Sequence, residues 1–165
     1  MNAFWVIAGI IFVSILGTLS HFTYQWSGKN RIVGFLTPVN ESVWEHMKLL
    51  FFPMLLYGLL VQGNQADPCR TAAYCAGLLI GTLLIPVIFY AYTAVLGKNY
   101  LPLDILTFLV SVVAAFLFYA YFAAHGTLCD YDRILTAAVF LLLIFFLVFT
   151  YFPPHFFLFD SPESE

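Results

Sequence analysis

The amino-acid sequence predicts an all-α integral membrane protein, a bundle of about five transmembrane helices with little mass outside the bilayer. Of its 165 residues, 62% are hydrophobic and only 9% are charged. An average soluble domain carries about 25% charged and about 45–50% apolar residues, and at this size it buries only about 70% of its unfolded surface. A bilayer accommodates the apolar excess, and the chain length suits one domain.

Five apolar segments are long enough to cross a hydrocarbon core about 30 Å thick, which takes roughly 20 residues of helix. They form a predicted domain of residues 1–152, with spans at about 3–24, 38–61, 71–96, 102–124 and 133–152. The segments lack the alternation of barrel strands and are about twice as long. Two prolines open residues 153–165, so we expect a polar C-terminal tail that leaves the last helix.

Three further patterns favour a packed membrane bundle. Ala73, Gly77 and Gly81 recur every four residues in the third span, which predicts a face where another helix approaches closely. Pro53 and Pro86 fall near the middle of the second and third spans, where each frees a backbone carbonyl and favours a kink. Aromatic residues gather near span ends, as in the belts of membrane proteins.

The distribution of basic residues predicts an orientation. The face that holds the first and third loops carries more of them, namely Lys29, Arg31, Lys98 and, just inside the second span, Lys48. The opposite face has only Arg70 and Arg133. We therefore expect the N-terminus outside and the C-terminus in the cytoplasm. Cys69 and Cys129 would then both lie on the oxidising face, where a disulfide between them is conceivable.

Polar side chains inside spans are costly, and each suggests a function. The first span carries a polar stripe at helical spacing, formed by Ser14, Thr18, His21 and Gln25. In the second span we expect Thr37 to cap a helix whose first residue is Pro38. On that helix Glu41 and Glu45 would share one face, continued by Lys48, beside a second face with the residues Ser42 and His46.

In a five-span chain the polar residues converge on one membrane face. That face holds three of the four histidines and the carboxylates within the spans, namely His21, Glu41, Glu45, His46, Asp104 and His155. Imidazoles and carboxylates are zinc ligands, and a carboxylate can serve as a general base. We predict metal ligands His21, His46 and His155, possible zinc, and catalytic Glu45 and Asp104. The predicted binding surface comprises Asn40, Glu41, Ser42, Trp44 and Lys48.

Simpler interpretations stand beside these. Glu45 and Lys48 can form an interfacial ion pair with the lysine snorkelling, His21 can hydrogen-bond between helices, and Asp104 can be a favourable charge at a helix N-terminus. No HExxH, GxSxG or phosphate-loop motif is present. His155 can also lie at the membrane–water interface without a functional role.

Three functions follow from these alternatives. The first is a metal-dependent hydrolase of a lipid or amphiphile, with a carboxylate as general base. The second is a solute transport or ligand-binding module. The third is an accessory subunit that contacts a membrane partner or a second copy of the chain. The expected partner in each case is the lipid bilayer. Nucleic acid is excluded as a partner, because the net charge is −3 and no basic tract occurs.

Two segments carry a resemblance to a known family. HFTYQWSGKNRIVGFLTPVNESVWEHMKLLFFP (His21 to Pro53) and YFPPHFFLFDSP (Tyr151 to Pro162) resemble small bacterial multi-pass membrane proteins of unknown function. The family pattern joins an HFxY helix end, a PVNESxWEHxK helix start and a PPH tail. The resemblance covers most of the chain and implies a bacterial inner-membrane protein. It carries no established activity, substrate or catalytic residue.

Overall fold

The computed structural model describes residues 3–62 and 67–161, without the side chain of Gln62. Within those residues every regular element is a helix. The elements are α1 (Ala3–Trp26), α2 (Arg31–Gly34), α3 (Val43–Gln62), α4 (Pro68–Leu96), α5 (Leu101–His125) and α6 (Asp132–Phe149), with 3₁₀ turns at Cys129–Tyr131 and Phe157–Phe159. All of these except α2 and the two 3₁₀ turns are long and apolar enough to cross a membrane. The predicted bundle of five transmembrane helices is confirmed.

The start of α3 differs from the expectation that Thr37 caps a helix beginning at Pro38. The helix begins at Val43 instead. Thr37 lies six residues before that start, and its hydroxyl donates back to the carbonyl of Val33 at 2.9 Å. Residues 35–42 form a connection between α2 and α3.

Side chains of this connection explain the later start. The Oδ1 atom of Asn40 accepts a hydrogen bond from the Ser42 N–H at 2.9 Å, which closes a turn. The Ser42 hydroxyl oxygen accepts from the Glu45 N–H at 3.4 Å and so caps the first turn of α3. Glu41 therefore lies before the helix. The expectation that it shares a helical face with Glu45 is wrong.

The centre of the bundle is the α4–α5 contact, as the small residues of α4 predict. A Cβ atom added to Gly77 would lie 2.5 Å from the backbone oxygen of Ala115, and one added to Gly81 would lie 3.0 Å from that of Ser111. Such distances leave no room for a side chain. Glycine is therefore required at both positions for the two backbones to approach this closely.

A disulfide joins Cys69, at the start of α4, to Cys129, in the turn before α6. Because α4 starts where α1 starts and α3 ends, this bond lies on the N-terminal face of the bundle. Asp67 caps α4 beside it, accepting from the Cys69 N–H at 3.1 Å. The starts of α3 and α5 lie on the opposite face.

The segment after α6 folds back against the bundle, which the expectation of a polar tail did not include. The ring centroid of Phe159 lies 4.9 Å from that of Trp44, and the Tyr90 hydroxyl donates to the carbonyl of Phe157 at 3.2 Å. Tyr151 donates to the carbonyl of Arg31 at 2.8 Å. Burial raises the pKa of the Tyr151 hydroxyl, which keeps it protonated as a donor. Residues 162–165 of the predicted tail lie outside the described residues.

Candidate metal centre

A cavity of about 240 Å³ opens at the face where α1 ends and α3 and α5 begin. Its polar lining consists of His21, Glu41, His46, Asn99, Asp104 and Thr107. Apolar side chains from α3, α4 and α5, among them Leu49, Ile85 and Phe108, form the rest of the wall. The cavity therefore combines ionisable groups with a surface that suits a hydrocarbon chain.

Three potential metal ligands meet in this cavity. His21, Glu41 and His46 each offer one ligand atom, and these atoms all lie within 4.8 Å of one another. Ligands of a tetrahedral zinc ion lie about 3.3 Å apart, given zinc–ligand bonds of about 2.0–2.1 Å. The side chain of Glu41 is 70% exposed and free to close most of that difference. The three side chains are thus close enough to hold one ion after small rotations.

The backbone fixes the orientation of the His46 ring. Its Nδ1 atom lies 2.9 Å from the Ser42 carbonyl, which can only accept, so Nδ1 carries the proton in this contact. The other ring nitrogen, Nε2, lies 3.4 Å from a carboxylate oxygen of Glu41. A shared proton or a cation between these two atoms would stabilise the contact. The ring of His21 is close by, with its centroid 5.3 Å from that of His46.

Asp104 lines the same cavity from the first turn of α5. One carboxylate oxygen accepts a hydrogen bond from the hydroxyl of Tyr92, and the other accepts from the side-chain amide of Asn99 at 3.3 Å. Both donors are neutral. Lys98, a basic residue of the neighbouring loop, has its ammonium 5.4 Å from the ring centre of Tyr100. No ion pair of Asp104 occurs among the described residues.

Glu45 and Lys48 form a separate, buried ion pair. The Lys48 ammonium lies 2.8 Å from the Glu45 carboxylate, and the two side chains are 0% and 2% exposed. The pair expected at i,i+3 is present, but Lys48 is enclosed by protein and does not snorkel. Its ammonium also donates to the carbonyl of Gly34 at 3.2 Å and to the hydroxyl of Thr150. Glu45 does not line the cavity.

The model of a family described as "Family of unknown function (DUF6512)" matches residues 1–164. The chain belongs to this family. No curated protein and no solved structure matches it. Membership agrees with the resemblance to a family without an assigned activity, so any function has to be argued from the cavity.

The structure brings together some of the predicted site residues and separates others. His21, Glu41, His46 and Asp104 line the cavity. The remaining predicted residues lie elsewhere: Asn40, Ser42, Trp44, Glu45, Lys48 and His155.

The separated residues have other surroundings. Asn40 and Ser42 shape the turn before α3. Trp44 is buried against Phe146, with ring centroids 4.7 Å apart. His155 is exposed on the C-terminal segment. A metal-binding role for His155, or a ligand-binding role for Trp44, stays a prediction that its position does not support.

The two residues that donate to Asp104 were missed from the sequence; Asn99 lines the cavity, and Tyr92 does not. Asn99 lies in the short GKNY loop, only five positions before Asp104, so its polar side chain near a helix start was a usable signal. Tyr92 lies near the end of α4, where aromatic residues of an interfacial belt are expected. Nothing in its spacing distinguishes it from a lipid-facing tyrosine, because the contact with Asp104 depends on how the end of α4 packs against α5.

Proposed function

We propose that the protein is a metal-dependent membrane hydrolase that holds a zinc ion between His21, Glu41 and His46 and acts on a lipid or other amphiphile. The observation that carries this proposal is that three zinc-type ligand atoms lie within 4.8 Å of one another in a cavity whose remaining wall is largely apolar. Two imidazoles and one carboxylate are a ligand set used by catalytic zinc sites, with a fourth position open for water or substrate.

The neighbouring residues suit this role. The Ser42 carbonyl fixes the ring of His46 through Nδ1, the kind of outer-shell contact that orients metal-bound histidines. A bound zinc ion supplies a Lewis acid and lowers the pKa of water to about 7. Glu45 is not assigned a catalytic step, because its carboxylate is enclosed and paired with Lys48.

The reaction proposed is hydrolysis of an acyl bond. The elements of water add across an ester or amide, so that the hydroxyl group joins the acyl carbon and the proton joins the departing alcohol or amine. The apolar wall, including Leu49, Ile85 and Phe108, receives part of the hydrocarbon chain. Burial of that chain contributes about 0.8 kcal/mol per methylene group and favours an amphiphile over a small polar ester.

We further propose that the cavity faces the cytoplasm of a bacterial inner membrane. The disulfide between Cys69 and Cys129 supports this orientation, because stable disulfides form on the oxidising side and this one lies on the face opposite the cavity. The excess of basic residues in the loops on the cavity side supports it as well.

A chelation experiment tests the hydrolase. Purified protein in neutral micelles is given single-chain amphiphiles with one ester or one amide bond, and release of the fatty acid is measured. We expect a chelator to abolish turnover and added zinc to restore it. The variant Glu41→Gln should lower turnover at least about 10²-fold. Asp130→Asn, an exposed carboxylate on the opposite face, serves as the matched control. Turnover that resists chelation, or no turnover of either bond type by zinc-loaded protein, would contradict the proposal.

A further inference from the structure

The charged side chains that line the cavity favour one class of amphiphile over others. Among the described residues, its lining contains two carboxylates, Glu41 and Asp104, and no lysine or arginine. The nearby basic residue Lys48 has its three donor positions directed at Glu45, Gly34 and Thr150. No fixed positive side chain of the lining is therefore available to bind an anionic head group.

Asp104 is the carboxylate of the lining that lies outside the proposed ligand set. Glu41 lies 3.4 Å from the Nε2 atom of His46 and belongs to the proposed ligand set. The donors to Asp104 are the hydroxyl of Tyr92 and the amide of Asn99, which fix its position without neutralising its charge. A carboxylate retains acceptor capacity after two such hydrogen bonds.

We infer that Asp104 binds a positively charged amine or ammonium group of the substrate, so that the cavity selects cationic amphiphiles. This inference rests on the proposed function for the use of the cavity as a substrate site. The Tyr92 and Asn99 side chains position the carboxylate, and the apolar wall around Phe108 takes the adjoining chain. This role differs from the general base expected from the sequence, because it uses the charge of Asp104 and transfers no proton.

The test compares two probes of equal chain length, octylammonium and octanol. Their binding to purified protein in neutral maltoside micelles is measured by calorimetry, and the metal content of each sample is determined in parallel. We expect octylammonium to bind at least about tenfold more tightly, the factor typical of one charge-assisted hydrogen bond. Asp104→Asn removes the charge with little change in shape and should abolish that preference while leaving octanol binding unchanged.

Two further variants keep the result interpretable. Tyr92→Phe removes a donor that positions the carboxylate and keeps the charge of Asp104, so the preference for octylammonium should weaken without being lost. Asp130→Asn, an exposed carboxylate on the opposite face, should leave the preference unchanged. An unchanged preference in folded Asp104→Asn, or equal affinity of the two probes for the wild-type protein, would overturn the inference.

The metal measurement separates the two proposals. A protein that holds zinc but lacks the Asp104-dependent preference refutes the inference and leaves the proposed function standing. A metal-free protein that shows the preference supports the cation site and contradicts the proposed hydrolase function.

Discussion

Replacing Lys48 by methionine tests the buried ion pair that fastens α3 to its surroundings. The change keeps an unbranched side chain, one atom shorter, and removes the ammonium. Among the described residues, the carboxylate of Glu45, which is 2% exposed, then keeps only the Val39 N–H, at 2.9 Å, as a hydrogen-bond donor. The carbonyl of Gly34 also loses its contact with Lys48. Removing one partner of a buried pair typically costs about 3–5 kcal/mol.

That cost corresponds to a decrease in the folding equilibrium constant of roughly 10²- to 4 × 10³-fold, at about 1.4 kcal/mol for each factor of ten. The assay is unfolding of purified protein by sodium dodecyl sulfate in mixed micelles, followed by circular dichroism. The double variant Glu45→Gln/Lys48→Met should recover most of the loss, because it leaves no unpaired buried charge and the new side-chain amide would still accept from the Val39 N–H. Lys98→Met, at an exposed lysine, should change stability by less than about 0.5 kcal/mol.

The reasoning is refuted if Lys48→Met unfolds within about 1 kcal/mol of the wild-type protein, a value expected of an exposed pair. A double variant that is less stable than the sum of the two single variants would also contradict it. The first outcome would mean that the two charges are hydrated in the folded protein, and the second that they do not stabilise each other.

The remaining predictions concern helix packing and the disulfide. Gly77→Ala should destabilise the bundle by about 1–3 kcal/mol, because the Cβ atom of the new alanine would press on the backbone of Ala115. Ala91→Leu, at an exposed position of α4, is the control in the same unfolding assay. Cys129→Ser should lower stability by about 2–4 kcal/mol, since it opens a loop with a sequence separation of 60 residues. In the wild-type protein, Cys69 should react with a membrane-impermeant maleimide only after reduction, and labelling without reduction would argue against the bond.

The fold could be predicted from the sequence because the bilayer imposes strong constraints on it. A span of α-helix must be long and apolar, and the short breaks between spans leave little choice of topology. The spacing of Gly77 and Gly81 also indicated the α4–α5 contact, since close approach of two backbones requires small residues at that interval. These features depend on composition and spacing alone.

The candidate site could be predicted only in part. Topology places the end of α1 and the starts of α3 and α5 at one face, which was enough to bring His21, His46 and Asp104 together. It does not determine where a helix starts within a polar segment. Because α3 begins at Val43, Glu41 faces the cavity and Glu45 faces Lys48, although spacing placed the two carboxylates together.

The directions of the side chains at the start of α3 could not be predicted from the sequence either. The rotation of α3 about its axis depends on how its residue Trp44 packs against Phe146 of α6 and Phe159 of the segment after α6. Hydrophobic periodicity does not reveal this packing in a helix that is apolar on most sides. For the same reason the contact between Tyr92 and Asp104 had no signal in the sequence.

The zinc content of the purified protein tests the central claim most directly. Protein from cells grown with zinc is isolated without chelators, and metal per chain is measured by mass spectrometry beside circular dichroism of each sample. We predict about one zinc ion per chain in the wild-type protein, little or none in His46→Ala and His21→Ala, and an unchanged amount in His155→Ala, whose histidine is exposed and outside the cavity. A folded wild-type protein without metal, or zinc that persists in His46→Ala, would contradict the account.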